Sequence, residues 1–275
     1  MVIIANIRHF GECLGRVGKL RGRISVGDLQ CALMIAEEAG QRLLNLRLSA
    51  AELGLEGRAL KDAGDLKSQE YLDDILRKLN PNDAILSEEA VDDQQRLSNN
   101  RVWIIDPLDG TREFSEFRDD WAVHVALWNS GVLVAGAVAL PALGLVLGSD
   151  QVPSVAAELN GRPMKIAVSR TRPPEIVSKI AKELDVELVP MGSAGYKVCA
   201  VVRGEVDAYI HAGGQFEWDS AAPVAVAESR GLHVSRIDGS ALEYNRKDPY
   251  MPNLLVCRPE LKSILLDAIN NNLEN

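Results

Sequence analysis

The stretch Val102-Trp103-Ile104-Ile105-Asp106-Pro107-Leu108-Asp109-Gly110-Thr111 runs from four apolar residues straight into two carboxylates three positions apart. The apolar part predicts a short buried strand. Pro107 is expected to turn the chain sharply off that strand and to fix the local φ. Gly110 would let the backbone approach a ligand where a side chain would block it. Two carboxylates on a rigid turn would result, with the Leu108 carbonyl between them and the Thr111 hydroxyl at the start of the next segment. Oxygen donors alone suit Mg²⁺ better than zinc or copper. The same spacing also fits a turn in which Asp106 and Asp109 merely cap a following helix.

Upstream, Ala84-Ile85-Leu86 is a second short apolar strand, ending in Ser87-Glu88-Glu89. If the two strands are neighbours, Glu88 and Asp106 meet at their ends. Adjacent carboxylates leaving a buried strand repel unless solvated or bound to metal, and a solvated strand end is the plain alternative. Downstream, Trp218-Asp219-Ser220-Ala221-Ala222 opens a helix of small residues, just after Gly213-Gly214. Asp219 is either its N-cap or the carboxylate that closes a site in a cleft between two lobes. Asp65 precedes a helix predicted from Ser68 to Leu79. It is either that helix's cap or a general base that works with Thr111 on a water.

Around these motifs the pattern is mixed. A helix is predicted from Asp28 to Leu44, and strands at Trp121–Trp128, Val132–Leu140 and Leu143–Leu147. Strand then alternates with helix: strands at Lys165–Val168, Glu187–Val189 and Ala208–His211, helices at Glu175–Leu184, Ala194–Val202, Asp219–Ser229 and Glu260–Leu273. This is a layered α/β protein. Residues 28–150 are expected to form an N-terminal lobe carrying the carboxylate motifs, and 151–275 a C-terminal lobe that completes the site. Gln151–Arg162 has the composition of a lobe boundary. Residues 1–27 show no period and are expected to be an extension, a poorly ordered tail or an over-long start.

Composition sets outer bounds. A net charge of −9 offers no basic surplus for a nucleic-acid polymer or an anionic membrane. An anionic small molecule bound here would need a local cation. The four cysteines, Cys13, Cys31, Cys199 and Cys257, have no zinc or redox-pair spacing. Scattered thiols, the lack of an apolar run of about 20 residues and the lack of a signal layout point to the cytoplasm. His124 and His211 fall within strands and read as structural.

Taken together and in order, Ser87-Glu88-Glu89, Asp106 to Thr111 and Trp218 to Ala222 resemble the inositol monophosphatase superfamily, over about residues 28 to 273. The resemblance implies the layered αβαβα sandwich of the inositol monophosphatase and fructose-1,6-bisphosphatase type. It also implies a Mg²⁺-dependent, lithium-sensitive phosphatase. Asp109-Gly110-Thr111-Arg112-Glu113-Phe114 is similar to the 3′(2′),5′-bisphosphate nucleotidase (CysQ-type) branch, and Arg101 to Trp128 with Gly192 to Gly195 to its actinobacterial members. Carried over position by position, Glu88, Asp106, Asp109, Asp219 and the Leu108 carbonyl would bind two or three Mg²⁺ ions. Thr111 with Asp65 would activate the water. Gly110 and Thr111 would hold the scissile phosphate, and Gly192 and Ser193 would line the sugar end.

Two departures bear on this. Leu60-Lys61-Asp62-Ala63-Gly64-Asp65 lacks the usual threonine-containing approach to the catalytic aspartate, and Ala212 stands where inositol-specific members carry a glutamate. The implied reaction is in-line attack of a metal-activated water on the 3′-phosphate of 3′-phosphoadenosine 5′-phosphate, within sulfur metabolism. A broader phosphatase of inositol 1-phosphate or fructose 1,6-bisphosphate is the alternative. Lys197, Arg170 and Arg172 are candidates for a second substrate phosphate, Lys197 being otherwise a solvated helix residue. A homodimer is the implied assembly. If the resemblance holds, Li⁺ inhibits phosphate release in a Mg²⁺-supported assay; a rate indifferent to Li⁺ would count against the placement in this superfamily.

Overall fold

The strand with the two carboxylates is an inner strand of a five-stranded sheet, next to its parallel edge strand. In the computed structural model, which describes residues 27–92, 94–150 and 161–273, this sheet comprises β1 (Ala84–Ser87), β2 (Arg101–Asp109), β3 (Ala122–Asn129), β4 (Val132–Leu140) and β5 (Leu145–Gly148), paired in that order. Only β1 and β2 are parallel, with Ser87 opposite Ile105. A second sheet has the order β7-β6-β8-β10-β9, from β6 (Met164–Ser169), β7 (Val186–Met191), β8 (Ala208–Phe216), β9 (His233–Ser235) and β10 (Tyr250–Cys257). All but the last residue of the expected extension at 1–27, and all but the last two residues of the expected boundary at 151–162, lie outside the described residues.

Helices cover both faces of both sheets, which is why the central strands read as unbroken apolar runs. Trp103, Ile105 and Val125 face α1 (Asp28–Leu48) and α2 (Gly57–Leu79), meeting Ile35, Leu43, Leu60 and Leu72. Ile104, Ala126 and Val138 point the other way, onto Ala221, Ala222 and Val226 of α6 (Glu217–Ser229). The other side of α6, with Val198 and Val201 of α5 (Ala194–Val202), packs on Tyr209, Leu254 and Val256. Ile166, Ile210 and Leu255 close the far core against α4 (Glu175–Glu183) and α7 (Lys262–Leu273). The result is the αβαβα sandwich, each fully buried Leu, Ile or Val contributing about 1.5–3 kcal/mol. No helix among the described residues is long and apolar enough to cross a membrane.

Three local expectations are corrected. Pro107 does not turn the chain off the strand: β2 runs on to Asp109. Pairing passes from Asp106–His124 to Asp109–Ala122, so one extra residue bulges from β2. A proline has no N–H for the ladder, and the bulge absorbs it within the sheet. Helix α2 begins at Gly57, about three turns before the expected start. Its buried residues are Leu60, Gly64, Ser68, Leu72 and Leu76, and the glycine and serine on this stripe carry no hydrophobic signal. A Cβ on Gly64 would lie 2.8 Å from Leu108 and 3.0 Å from Phe114, so the bare backbone sets how closely α2 approaches the carboxylate turn. Third, β10 adds a strand over Tyr250–Cys257, a run that Pro252 interrupts at the register shift between Met251 and Asn253, and the three-residue β9 pairs beside it.

Helix α6 sits against β4 at Gly136, where an added Cβ would stand 2.5 Å from the Ala225 Cβ and 2.9 Å from the Ala222 carbonyl oxygen. Pro223 lies in the helix interior between these two alanines. Gly136→Val is expected to cost about 1–3 kcal/mol through overpacking. Urea denaturation should show a lower midpoint with an unchanged slope; an unmoved midpoint would mean that α6 can shift freely.

Candidate active site

The bulge in β2 places Asp106 and Asp109 at the edge of the first sheet's core, 1% and 7% exposed. Gly110 follows at φ +92°, a left-handed conformation that favours glycine, and a Cβ there would crowd Trp121 and Ser193 at 3.2 Å. This turn leads into α3 (Thr111–Ser115). Asp109 does not cap that helix. It reaches into the helical layer between the sheets and accepts from Ser193 Oγ (2.5 Å), Ala194 N–H (3.1 Å) and Gly195 N–H (2.7 Å), at the N-terminus of α5. Positive helix-end charge favours an anion there. Burial opposes ionisation, but the nearby His124 ring and the hydrogen bonds from Ser193 and Gly195 outweigh it and hold the Asp109 carboxyl at about 2.

Asp106 is in the opposite position. Its Oδ1 accepts from Leu108 N–H at 3.0 Å, while the buried Oδ2 has no donor. Burial, then the charges of Glu88, Asp109 and Asp219, push its carboxyl well above the usual range. Glu88 leaves β1 beside it, still open to solvent, and desolvation followed by Asp219 and Asp109 raises it to about 8. Asp219, in the first turn of α6, accepts from Phe216 N–H at 2.6 Å and is raised to about 7 by burial and by Asp109. It closes its helix from inside rather than standing at the N-cap, and also belongs to the cleft. Four carboxylates with an orphaned buried oxygen among them fit an oxygen-preferring cation.

His124, expected to be structural, stands within the carboxylate group itself. Opposite Asp106 on β3, fully buried, it places Nδ1 3.0 Å from the Trp218 carbonyl oxygen and Nε2 3.3 Å from Asp109 Oδ2. Burial lowers its basicity, yet Asp109 prevails and the ring is raised above its ordinary value. Asp106, Asp109 and His124 each offer an atom within 4.8 Å of the others, a group able to hold a metal. Gly195 makes room: a Cβ on it would overlap the imidazole. The signal was a single imidazole in the apolar strand Ala122-Val123-His124-Val125-Ala126, but register was needed to place it.

The remaining candidates gather around a cleft of about 370 Å³. Thr111, Gly192, Ser193 and Lys197 line it with Asp109 and Asp219. Ser193 is held at φ +46°, a strained conformation, by its bond to Asp109 and by Tyr196 N–H, which donates to its Oγ at 2.9 Å. Gly192 N–H donates to Asp120 at 2.7 Å. Lys197 is not a solvated helix residue: it is 5% exposed and donates to the Gly192 (3.0 Å) and Ser193 carbonyls. Arg170 is engaged by Glu113 (2.9 Å) and Glu116 (2.7 Å), whereas Arg172 also lines the cleft. Asp65 lies inside α2, so the capping alternative falls. Burial, then Glu89, raises it to about 7, and no hydrogen bond joins it directly to Thr111.

The family profile described as Inositol monophosphatase family matches residues 28–274. The chain belongs to the inositol monophosphatase family. Curated members similar to it include a Mycobacterium leprae protein named 3′-phosphoadenosine 5′-phosphate phosphatase, 49% identical over 255 residues, 88% of this chain and 93% of that one. A protein of the same name from Mycobacterium bovis is 52% identical over 242 residues, 84% of this chain and 89% of that one. The Escherichia coli K12 protein named 3′(2′),5′-bisphosphate nucleotidase CysQ is 30% identical across 69% of this chain and 81% of its own. Among solved structures of the family, CysQ from Bacteroides thetaiotaomicron matches with a TM-score of 0.69 at 25% identity, covering 86% of this chain and 98% of that one.

The raised carboxyls have a consequence for stability. Acids whose folded pKa lies above the unfolded value bind more protons when folded, so stability falls as pH rises from about 4 through the folded values. Glu88 at about 8 and Asp219 at about 7 set that window, and the raised His124 acts in the same direction. In EDTA, Tm should fall between pH about 5 and about 8, and Mg²⁺ should restore it most at the upper end. A flat profile, or equal Mg²⁺ stabilisation at both ends, would show that the carboxylates are not coupled in this way.

Proposed function

We propose that this chain removes the 3′-phosphate of 3′-phosphoadenosine 5′-phosphate with Mg²⁺, leaving adenosine 5′-monophosphate and phosphate. The observation that carries it is Asp106 Oδ2, a buried oxygen without a donor among the described residues, set among the charges of Glu88, Asp109 and Asp219, the last two of which line the cleft together with Lys197. The nucleotide specificity is supported by the names of the mycobacterial relatives.

Glu88, Asp106, Asp109, Asp219 and the Leu108 carbonyl would hold two or three Mg²⁺. When bound, Mg²⁺ neutralises the charge on the phosphate and lowers the pKa of the attacking water. The chain's residues do the rest. Asp65, with a carboxyl near 7, is tuned to take a proton at neutral pH, and the Thr111 hydroxyl orients the water between them. The Gly110 and Thr111 backbone holds the scissile phosphate. Gly192 and Ser193 line the sugar end, where Lys197, anchored by two carbonyls, turns its charge to a second phosphate.

The same reading makes the protein a cytoplasmic homodimer that disposes of a by-product of sulfate activation, with a cleft between an N-terminal and a C-terminal lobe. Cys31, Cys199 and Cys257 are free and buried, as in a reducing compartment.

EDTA should abolish phosphate release and Mg²⁺ restore it, and Asp106→Asn should lower kcat by roughly a hundredfold or more. Near-normal turnover in that variant removes Asp106 from the mechanism. Catalytic efficiency is expected to be highest on 3′-phosphoadenosine 5′-phosphate, compared with inositol 1-phosphate and fructose 1,6-bisphosphate. A higher value on either sugar ester refutes the nucleotide assignment.

A further inference from the structure

Away from the carboxylates, the cleft contains three polar side chains of β8 that phosphate chemistry does not use. Gln215 is 5% exposed and donates through Nε2 to Tyr209 Oη at 3.2 Å, while its Oε1 has no partner among the described residues. Tyr209 Oη lies 3.4 Å from His211 Nδ1, and His211 Nε2 is buried without a partner. Tyr209, His211 and Gln215 all line the cleft, beside Lys197. The Lys197 ammonium stands 5.3 Å from the centre of the Tyr209 ring.

The direction of these bonds determines what the cleft presents. Gln215 donates to Tyr209, so the tyrosine hydroxyl gives its own proton to His211 Nδ1. A neutral imidazole then carries its proton on Nε2. One open acceptor, Gln215 Oε1, and one open donor, His211 Nε2–H, remain. Turning the Gln215 amide over reverses every link and again leaves one donor and one acceptor. Burial and the Lys197 charge keep His211 neutral, at about 4, against the Gly214 carbonyl. An unpartnered acceptor and an unpartnered donor lining one cleft suit a hydroxyl or a heterocyclic edge, each of which both donates and accepts. It does not suit a phosphate dianion, which has no proton for the acceptor.

We propose that Gln215 and His211, linked through Tyr209, form a neutral subsite that binds the uncharged nucleoside portion of the substrate and so determines leaving-group specificity. This rests on the nucleotide reading above. Leaving such buried groups unpaired is costly, which makes the subsite selective against esters that cannot fill it.

The test is calorimetric binding of adenosine 5′-monophosphate, ribose 5-phosphate and inorganic phosphate to the Mg²⁺-loaded protein, for wild type, Gln215→Met and Tyr209→Phe. Gln215→Met should weaken adenosine 5′-monophosphate by at least about tenfold (about 1.4 kcal/mol) and inorganic phosphate by less than about twofold. Tyr209→Phe, which breaks the link but keeps the ring, should act in the same direction. A parallel loss on ribose 5-phosphate assigns the contact to the sugar, and a loss confined to the nucleotide assigns it to the base. Unchanged nucleotide affinity in both variants, or an equal loss on all three ligands, overturns the subsite. Failure of the nucleotide reading looks different: the wild type itself would bind adenosine 5′-monophosphate no better than inorganic phosphate.

Discussion

Asp109 is held by more donors than any other carboxylate in the cleft, and the arrangement of the others follows from that. Ser193, two N–H groups of α5 and His124 all converge on it. The carboxylate comes from the first sheet and its donors at α5 come from the layer between the sheets. One charge therefore binds two layers at the point where the cleft opens. Burial raises Asp106, Glu88 and Asp219 in the first place, and the ionised Asp109 beside them adds to the shift of each. A site that keeps one carboxylate fully satisfied and its neighbours under-satisfied is ready for a cation.

The opposite wall has a complementary economy. Lys197 is buried without a carboxylate partner, tied to carbonyls, and faces a cleft rimmed by acidic groups. Glu113 and Glu116 engage Arg170, so the cation that remains deep in the cleft is the lysine. Charge near the chemistry is thus divided, with anions toward β2 and α6 and a cation toward α5. The neutral residues of β8 lie beside the cation.

Much of this was legible in the sequence, for reasons that can be stated. Strand and helix types in the described chain follow from apolar runs covered on both faces, as in Val102–Ile105 and Ala194–Val202. The carboxylates were legible because acidic residues at the ends of apolar strands have few structural uses. Register was not. His124 lies opposite Asp106 only once β2 pairs with β3, and Gln215 joins Tyr209 and His211 only once β8 runs past its two glycines to Phe216. The start of α2 was hidden because its buried stripe includes Gly64 and Ser68, whose value lies in the space they leave. Pro107 misled because a proline that cannot join a ladder can still be accommodated in a bulge.

Pro223 has no amide proton, so the carbonyl four residues before it, that of Asp219, cannot receive the usual helical hydrogen bond. The turn of α6 that carries Asp219 therefore has one link fewer to the turn behind it, and its carboxylate is held locally by the Phe216 N–H. Ala222 and Ala225, on either side of the proline, both rest on Gly136 of the sheet. That seat spans the missing link, so the sheet does the work of the absent hydrogen bond, and a change at Gly136 reaches the carboxylate through the helix it carries.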